Sequence, residues 1–89
     1  MTVRKRVRAH GHVHGVFFRD SLRRAAGREG VSGWAANRSD GTVEAVLEGE
    51  PDAVDRLVEL CRKGPGHSQV EWLDVDDEEP AGLRGFDIR

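Results

Sequence analysis

The sequence predicts an α+β fold of two layers, with two helices packed on one face of an antiparallel sheet. Three observations lead there. Residues 3–13 and 42–48 alternate apolar and polar side chains, as strands with one buried face do. Residues 18–29 and 51–61 instead repeat apolar side chains at helical spacing. Strand-like and helix-like stretches follow one another with a tight-turn signal, Ser39-Asp40-Gly41, between two of the strands.

In the first strand Val3, Val7, Ala9 and Val13 share one face, and Arg4, Arg6, Arg8, His10 and His12 the other. Phe18, Leu22, Ala25 and Ala26 then form the apolar stripe of a helix from Phe18 to Glu29, with Gly30 as its stop. Val31 to Asn37 reads as a second strand and Thr42 to Glu48 as a third, with Val43, Ala45 and Leu47 inward. Pro51 suits the first turn of the next helix, whose buried face is Val54, Leu57, Val58 and Cys61 and which ends at Gly64. Residues 63–68 are loop. Val70 to Asp76 is a strand whose apolar phase slips between Trp72 and Leu73, which predicts a bulge. Residues 76–82 read as an exposed acidic turn, and Phe86 and Ile88 as a short final strand. The order β-α-β-β-α-β with a short extra strand is the ferredoxin-like split β-α-β arrangement. This fold hosts many activities and names none.

Length and composition narrow the class. At 89 residues there is room for one domain with one modest core, residues 1–89. No apolar run approaches the roughly 20 residues that span a bilayer. The N-terminus lacks the apolar stretch of a secretory leader, and the single Cys61 excludes an intrachain disulfide. A cytoplasmic protein is expected. The net charge of −2 hides a segregation: residues 1–30 hold eight Lys/Arg against Asp20 and Glu29, so the acidic excess lies in residues 31–89. A basic first third suits an anionic ligand, nucleic acid included.

Within that basic third, residues 11–20, GHVHGVFFRD, lead from strand to helix through glycines and an Arg. Gly11 and Gly15 permit positive φ and close approach of a ligand to the backbone. The N–H groups of Val16 to Arg19 then point into one concavity at a helix start, where the helix dipole favours negative charge. Arg19 adds a planar fork of donors suited to a phosphoryl group. The plainer reading is a strand-to-helix turn with a solvent-facing Arg. Asn37 likewise has two readings. It can open the turn that follows it. It can also reach the cradle, if its strand pairs beside the first.

Taken together, the two stretches resemble the acylphosphatase family. Gly11, Val13, Gly15, Val16, Phe18 and Arg19 fit the family's first signature, G-x-V-x-G-V-x-F-R. Gly33, Trp34 and Asn37, followed by Asp40, Gly41, Val43 and Glu44, fit the second, G-W-x-x-N then D-G-x-V-E. Element order and the pair Phe86 and Ile88 extend the likeness over the whole chain. The resemblance implies hydrolysis of acyl phosphates. It also implies that Arg19 binds phosphate, that Asn37 positions the attacking water, and that the backbone of His14, Gly15, Val16, Phe17 and Phe18 is the phosphate-binding loop. His14 stands where the family usually has Gln, and Arg89 where it commonly ends on an aromatic residue. If position 14 serves through its N–H, the first change is neutral; if through its side chain, substrate preference changes.

Chemistry read from the residues agrees. There is no HExxH, no Walker loop and no nucleophilic Ser or Cys motif. An Arg, an amide and a backbone nest remain. These suffice for an acyl phosphate, whose carboxylate departs without a general acid, whereas a phosphate ester would release an alkoxide. No cofactor and no metal are expected. His10, His12 and His14 sit two apart and are the only metal-like pattern; no fourth ligand stands out, with His67 placed in a distant loop. A catalytically weak phosphate-binding module or a basic nucleic-acid-binding module is the rival reading. The latter needs exposed aromatics for stacking, and none lies on the strand face of Arg4, Arg6 and Arg8; Trp34 and Trp72 read as core or sheet-packing residues. A monomer acting on a small-molecule acyl phosphate, away from membranes and nucleic acid, is the expectation.

Overall fold

A computed structural model describes residues 1–89. The elements are β1 (Val3–His12), α1 (Phe18–Glu29), β2 (Ser32–Asn37), β3 (Val43–Gly49), α2 (Pro51–Lys63), β4 (Gln69–Glu78) and β5 (Phe86–Ile88). They form a sheet of order β4-β1-β3-β2-β5. The first four strands in that order pair antiparallel, as expected, whereas β5 runs parallel to β2 and makes the sheet mixed.

Two expectations about neighbours are corrected. β2 does not lie beside β1, because β3 sits between them. The bulge falls at Glu71 rather than after Trp72: His10 faces Trp72 while Gly11 faces Val70. At Gly11 (φ 129) a Cβ would run into the Gln69 carbonyl, so this glycine admits β4 and not a ligand.

Helix α1 buries Phe18, Leu22, Ala25 and Ala26, and α2 buries Ala53, Val54, Leu57, Val58 and Cys61. Both stripes meet the inward residues of β1 and β3, among them Val7, Ala9, Val43, Ala45 and Leu47, in one apolar cluster. Gly30 closes α1 in the left-handed region and returns its N–H to the Ala26 carbonyl. Truncating a fully buried Leu22 or Leu57 to Ala should cost about 2–5 kcal/mol. Burial also pushes the Cys61 thiol up to about 12, so this cysteine is no nucleophile.

Outside the helices, the second sheet face is covered by its own charged side chains. Glu44 on β3 is 6% exposed although it alternates with apolar residues. It accepts from Arg6 Nη1 and Arg38 Nε, each at 2.6 Å. Burial pushes its carboxyl up, but these two donors and their charge outweigh it and hold it below the ordinary value. Glu78 accepts from Arg4 Nε at 2.8 Å and Arg6 Nε at 2.6 Å. Glu48 takes the backbone N–H of Ala81 and Leu83, each at 2.8 Å, pinning the crossing to β5. The acidic run at 76–79 is therefore largely strand, and it pairs with β1 rather than forming a solvated turn. Arg4, Lys5, Arg6 and Arg8 of the basic third thus pair with carboxylates of the acidic remainder in an ion-pair lattice.

Trp34 lies in that lattice, 7% exposed, with the guanidinium groups of Arg6, Arg38 and Arg89 at 5.5, 5.5 and 4.7 Å from its ring. Trp72 is 54% exposed, not core, and stacks on His10 at 4.2 Å between centroids. The sheet face of β1 thus does carry aromatic neighbours, supplied by β2 and β4.

Candidate active site

The site lies where β1 hands over to α1. Gly15 (φ 68) and Phe17 (φ 63) both adopt the left-handed region, two residues apart. That alternation turns successive N–H groups toward one side. The N–H groups of Gly15, Val16 and Phe17 donate to no acceptor within the protein. Phe17 caps α1 without a side-chain hydrogen bond, so the helix N-terminus is open in the same direction.

Beside the loop is a cavity of about 280 Å³ lined by Val13, Gly15, Phe17, Phe18, Arg19, Asp20, Asn37 and Ile88. Arg19, on α1, and Asn37, on β2, therefore share one cavity, although β3 separates β2 from the strand that leads into α1. Asn37 gets there because it is the last residue of β2, paired with Val43, at the sheet end from which α1 departs. Arg19 Nη1 donates to the Arg89 carbonyl at 3.3 Å, and Arg89 is itself fixed by its N–H to Ala35 O at 2.8 Å. Arg89 thus steadies the guanidinium without being aromatic.

Two of the expected loop residues do not line the cavity. His14 turns its Nε2 to the Thr42 carbonyl at 2.8 Å. Since a carbonyl only accepts, Nε2 carries the hydrogen. Thr42 is in turn fixed by Asp40 Oδ1, through its N–H at 3.0 Å and its hydroxyl at 2.7 Å. His14 so ties the loop to the β2–β3 hairpin that carries Asn37. Val16 offers its carbonyl to the N–H of His67 at 3.0 Å. His67 is therefore not distant: the 64–68 segment lies against the loop. Asp20, Val13 and Ile88 complete the lining; Val13 had a sequence signal in the first signature and Ile88 in the F-x-I pair.

Positive charge is concentrated here only through Arg19 and the backbone. Asp20 is held by Arg23 at 2.8 Å and Arg24 at 3.1 Å. A larger hollow, about 480 Å³, lies on the outer sheet face among Arg6, Arg8, Glu44, Asp74 and Asp76. Its arginines are answered by as many or more carboxylates, so it offers an oxyanion no comparable attraction. The three early histidines diverge: His10 stacks on Trp72 with Nε2 2.7 Å from Asp74 Oδ2, His12 is exposed, and His14 faces Thr42. No group of three or more His, Cys, Asp or Glu side chains comes together as a metal site.

A ferredoxin-like α+β sandwich with a backbone cradle, one Arg and one amide at a helix N-terminus defines a class of oxyanion-binding folds. Comparison with known proteins narrows it. The pattern of the family described as Acylphosphatase matches residues 5–88. A protein named Acylphosphatase from Rubrobacter xylanophilus is 58% identical over 99% of this chain and 81% of its own length. Solved structures of an acylphosphatase from Coxiella burnetii and of one from Bacillus subtilis superpose with TM-scores of 0.93 and 0.92, at 33% and 32% identity. These cover 99% and 98% of this chain, and 93% and 98% of theirs. The chain belongs to the acylphosphatase family.

Proposed function

We propose that this chain hydrolyses the carboxyl–phosphate bond of small acyl phosphates, giving a carboxylate and inorganic phosphate. The observation that carries the reading is the set of unpaired N–H groups at Gly15, Val16 and Phe17, heading α1 beside Arg19 and Asn37. The phosphoryl oxygens lie in the cradle, with Phe18 at its helical end and the Arg19 fork on the outer side. The Asn37 amide orients one water in line with the departing carboxylate. The water oxygen bonds to phosphorus, the bond from phosphorus to the acyl oxygen breaks, and its electron pair leaves on the carboxylate. The water's proton passes to a phosphoryl oxygen, so no protein base is required. His14 contributes by fixing the loop against the Asn37 hairpin.

The reading is of a metal-independent, monomeric enzyme of the cytoplasm. The cradle supplies the positive potential that a metal would otherwise bring, and the free, buried thiol of Cys61 suits a reducing compartment. Family membership favours it over a phosphate-binding module without turnover. The nucleic-acid reading loses its support, because Arg4 and Arg6 are bound to Glu78 and Glu44.

Release of inorganic phosphate from acetyl or benzoyl phosphate, by wild type and by Arg19→Ala, tests the proposal. Turnover lost in the variant supports it; equal rates in both would remove Arg19 from the site.

A further inference from the structure

Four large apolar side chains are exposed in the whole molecule: Met1, Phe17, Trp72 and Ile88. Met1 is terminal and Trp72 is stacked on His10. The other two, 68% and 37% exposed, line the same cavity as Arg19 and Asn37. The remaining apolar lining, Val13 and Phe18, is 2% exposed and belongs to the core. Bare apolar surface is thus gathered at this cavity.

Phe17 is held there against local preference. It is the only non-glycine residue with positive φ, at 63°. That region disfavours a bulky side chain by about 1–2 kcal/mol, and Gly or Asn would occupy it more easily. Its cradle N–H needs no ring. The ring is nevertheless presented to solvent, with the His67 ring edge-on at 6.4 Å between centroids. The 64–68 segment is locked beneath it. His67 donates its N–H to Val16 O, and a Cβ at Gly66 would come within 2.5 Å of that oxygen and 3.1 Å of the Phe17 carbonyl. A strained, exposed, braced aromatic beside a polar cavity is a feature for a ligand rather than for the fold.

Resting on the hydrolytic reading above, we propose that Phe17, with Ile88 lining the same cavity and His67 bracing its ring, is an acyl-group shelf that selects acyl phosphates with aromatic or bulky apolar acyl groups. The cradle fixes the phosphoryl end. The acyl carbon then projects from the cavity, and a flat apolar group covers the Phe17 face. A methyl group is too small to do so. The shelf acts on binding, through KM, and is a specificity feature separate from the water and the phosphoryl group.

The test compares benzoyl with acetyl phosphate in wild type, Phe17→Ala, Phe17→Leu and His67→Ala. The ratio of kcat/KM, benzoyl over acetyl, should fall roughly tenfold in Phe17→Ala, mostly through KM, with Phe17→Leu in between. In His67→Ala it should fall less, with acetyl phosphate hydrolysis unchanged. An unchanged ratio in Phe17→Ala overturns the shelf, as does a parallel loss on both substrates. The same comparison is read without turnover from the dissociation constants of phenacylphosphonate and acetonylphosphonate, in which a methylene replaces the scissile oxygen. Wild type should bind the phenacyl compound more tightly by a similar factor, and Phe17→Ala should erase the difference. Equal binding by wild type overturns the shelf even where turnover is found. Selective binding without turnover keeps the shelf and overturns the hydrolytic reading alone.

Discussion

The Arg19 guanidinium donates one hydrogen, through Nη1, to the Arg89 carbonyl at 3.3 Å. Its remaining donors are left for the cavity it lines with Asn37. A guanidinium can be anchored on one edge and still present a fork on another, because its five N–H groups are fixed in a plane. An ammonium at the same position cannot do both.

Arg19→Ala should therefore abolish activity and phosphate binding together. Arg19→Lys should lose at least about a hundredfold in kcat/KM, since a point charge replaces a bidentate contact. Steady-state kinetics with phosphate as competitive inhibitor measures both. Near-normal turnover in the Lys variant would mean the fork is not used.

Asn37→Ala should lower kcat by about 10²–10³ and leave the inhibition constant of phosphate nearly unchanged, because in the proposed reaction the amide orients the water rather than holding the anion. Asn37 has no apolar burial to lose, being exposed at the end of β2. Equal losses in turnover and affinity would make it a ligand-binding residue instead.

Gly15→Val should weaken phosphate binding by strain alone. A Cβ at Gly15 meets nothing within 4 Å, so crowding plays no part, but its φ of 68 penalises a β-branched side chain. Gly15→Asn, which tolerates this region, should retain most of the affinity. Similar losses in Asn and Val variants would show that something other than φ is at stake.

Acid should loosen the outer sheet face first. Glu48 is held below the ordinary carboxylate value by the Ala81 and Leu83 N–H groups against the opposing effect of burial, and Glu78 by Arg6 and Arg4. Glu44 is held low as well, its two arginines outweighing its burial. A carboxyl with a depressed folded value binds its proton more readily when unfolded. Its stabilisation is thus complete above the ordinary glutamate value of 4.5 and is lost as the pH falls through the lower folded value. Urea midpoints measured from pH 7 to pH 2 should be flat above about pH 5 and then decline. Glu48→Gln should be less stable at pH 7 and decline less. A midpoint independent of pH would leave the lattice without energetic weight.

How far the sequence could be read depended on where each signal resides. Helix α1 was legible to its ends, because Phe18, Leu22 and Ala26 repeat on one face and Gly30 can adopt the stop conformation. The Arg19 and Asn37 positions were legible as types in a pattern, and their meeting in one cavity followed only once the sheet order was known. That order was not legible: alternation in β2 fixes which face is buried and says nothing of which strand lies alongside. The burial of Glu44 had no signal in the alternation of β3, since it depends on Arg6 of β1 and Arg38 just after β2, both outside its strand. His67 read as distant because the contact joining it to Val16 is a backbone hydrogen bond, which leaves no trace in residue types.

In the proposed reaction a backbone cradle and Arg19 drive departure of a carboxylate, with Asn37 orienting the water and no metal or general acid taking part. This is tested most directly by phosphate release in excess chelator, with acetyl phosphate and glycerol phosphate measured side by side. Both place the same group in the cradle, so phosphate should inhibit both with one constant. Full activity on acetyl phosphate is expected under chelation, with a kcat on glycerol phosphate lower by orders of magnitude, because an alkoxide needs a general acid that the proposed reaction does not use. Loss of activity on chelation with recovery on added zinc, or comparable kcat on the two substrates, would contradict it.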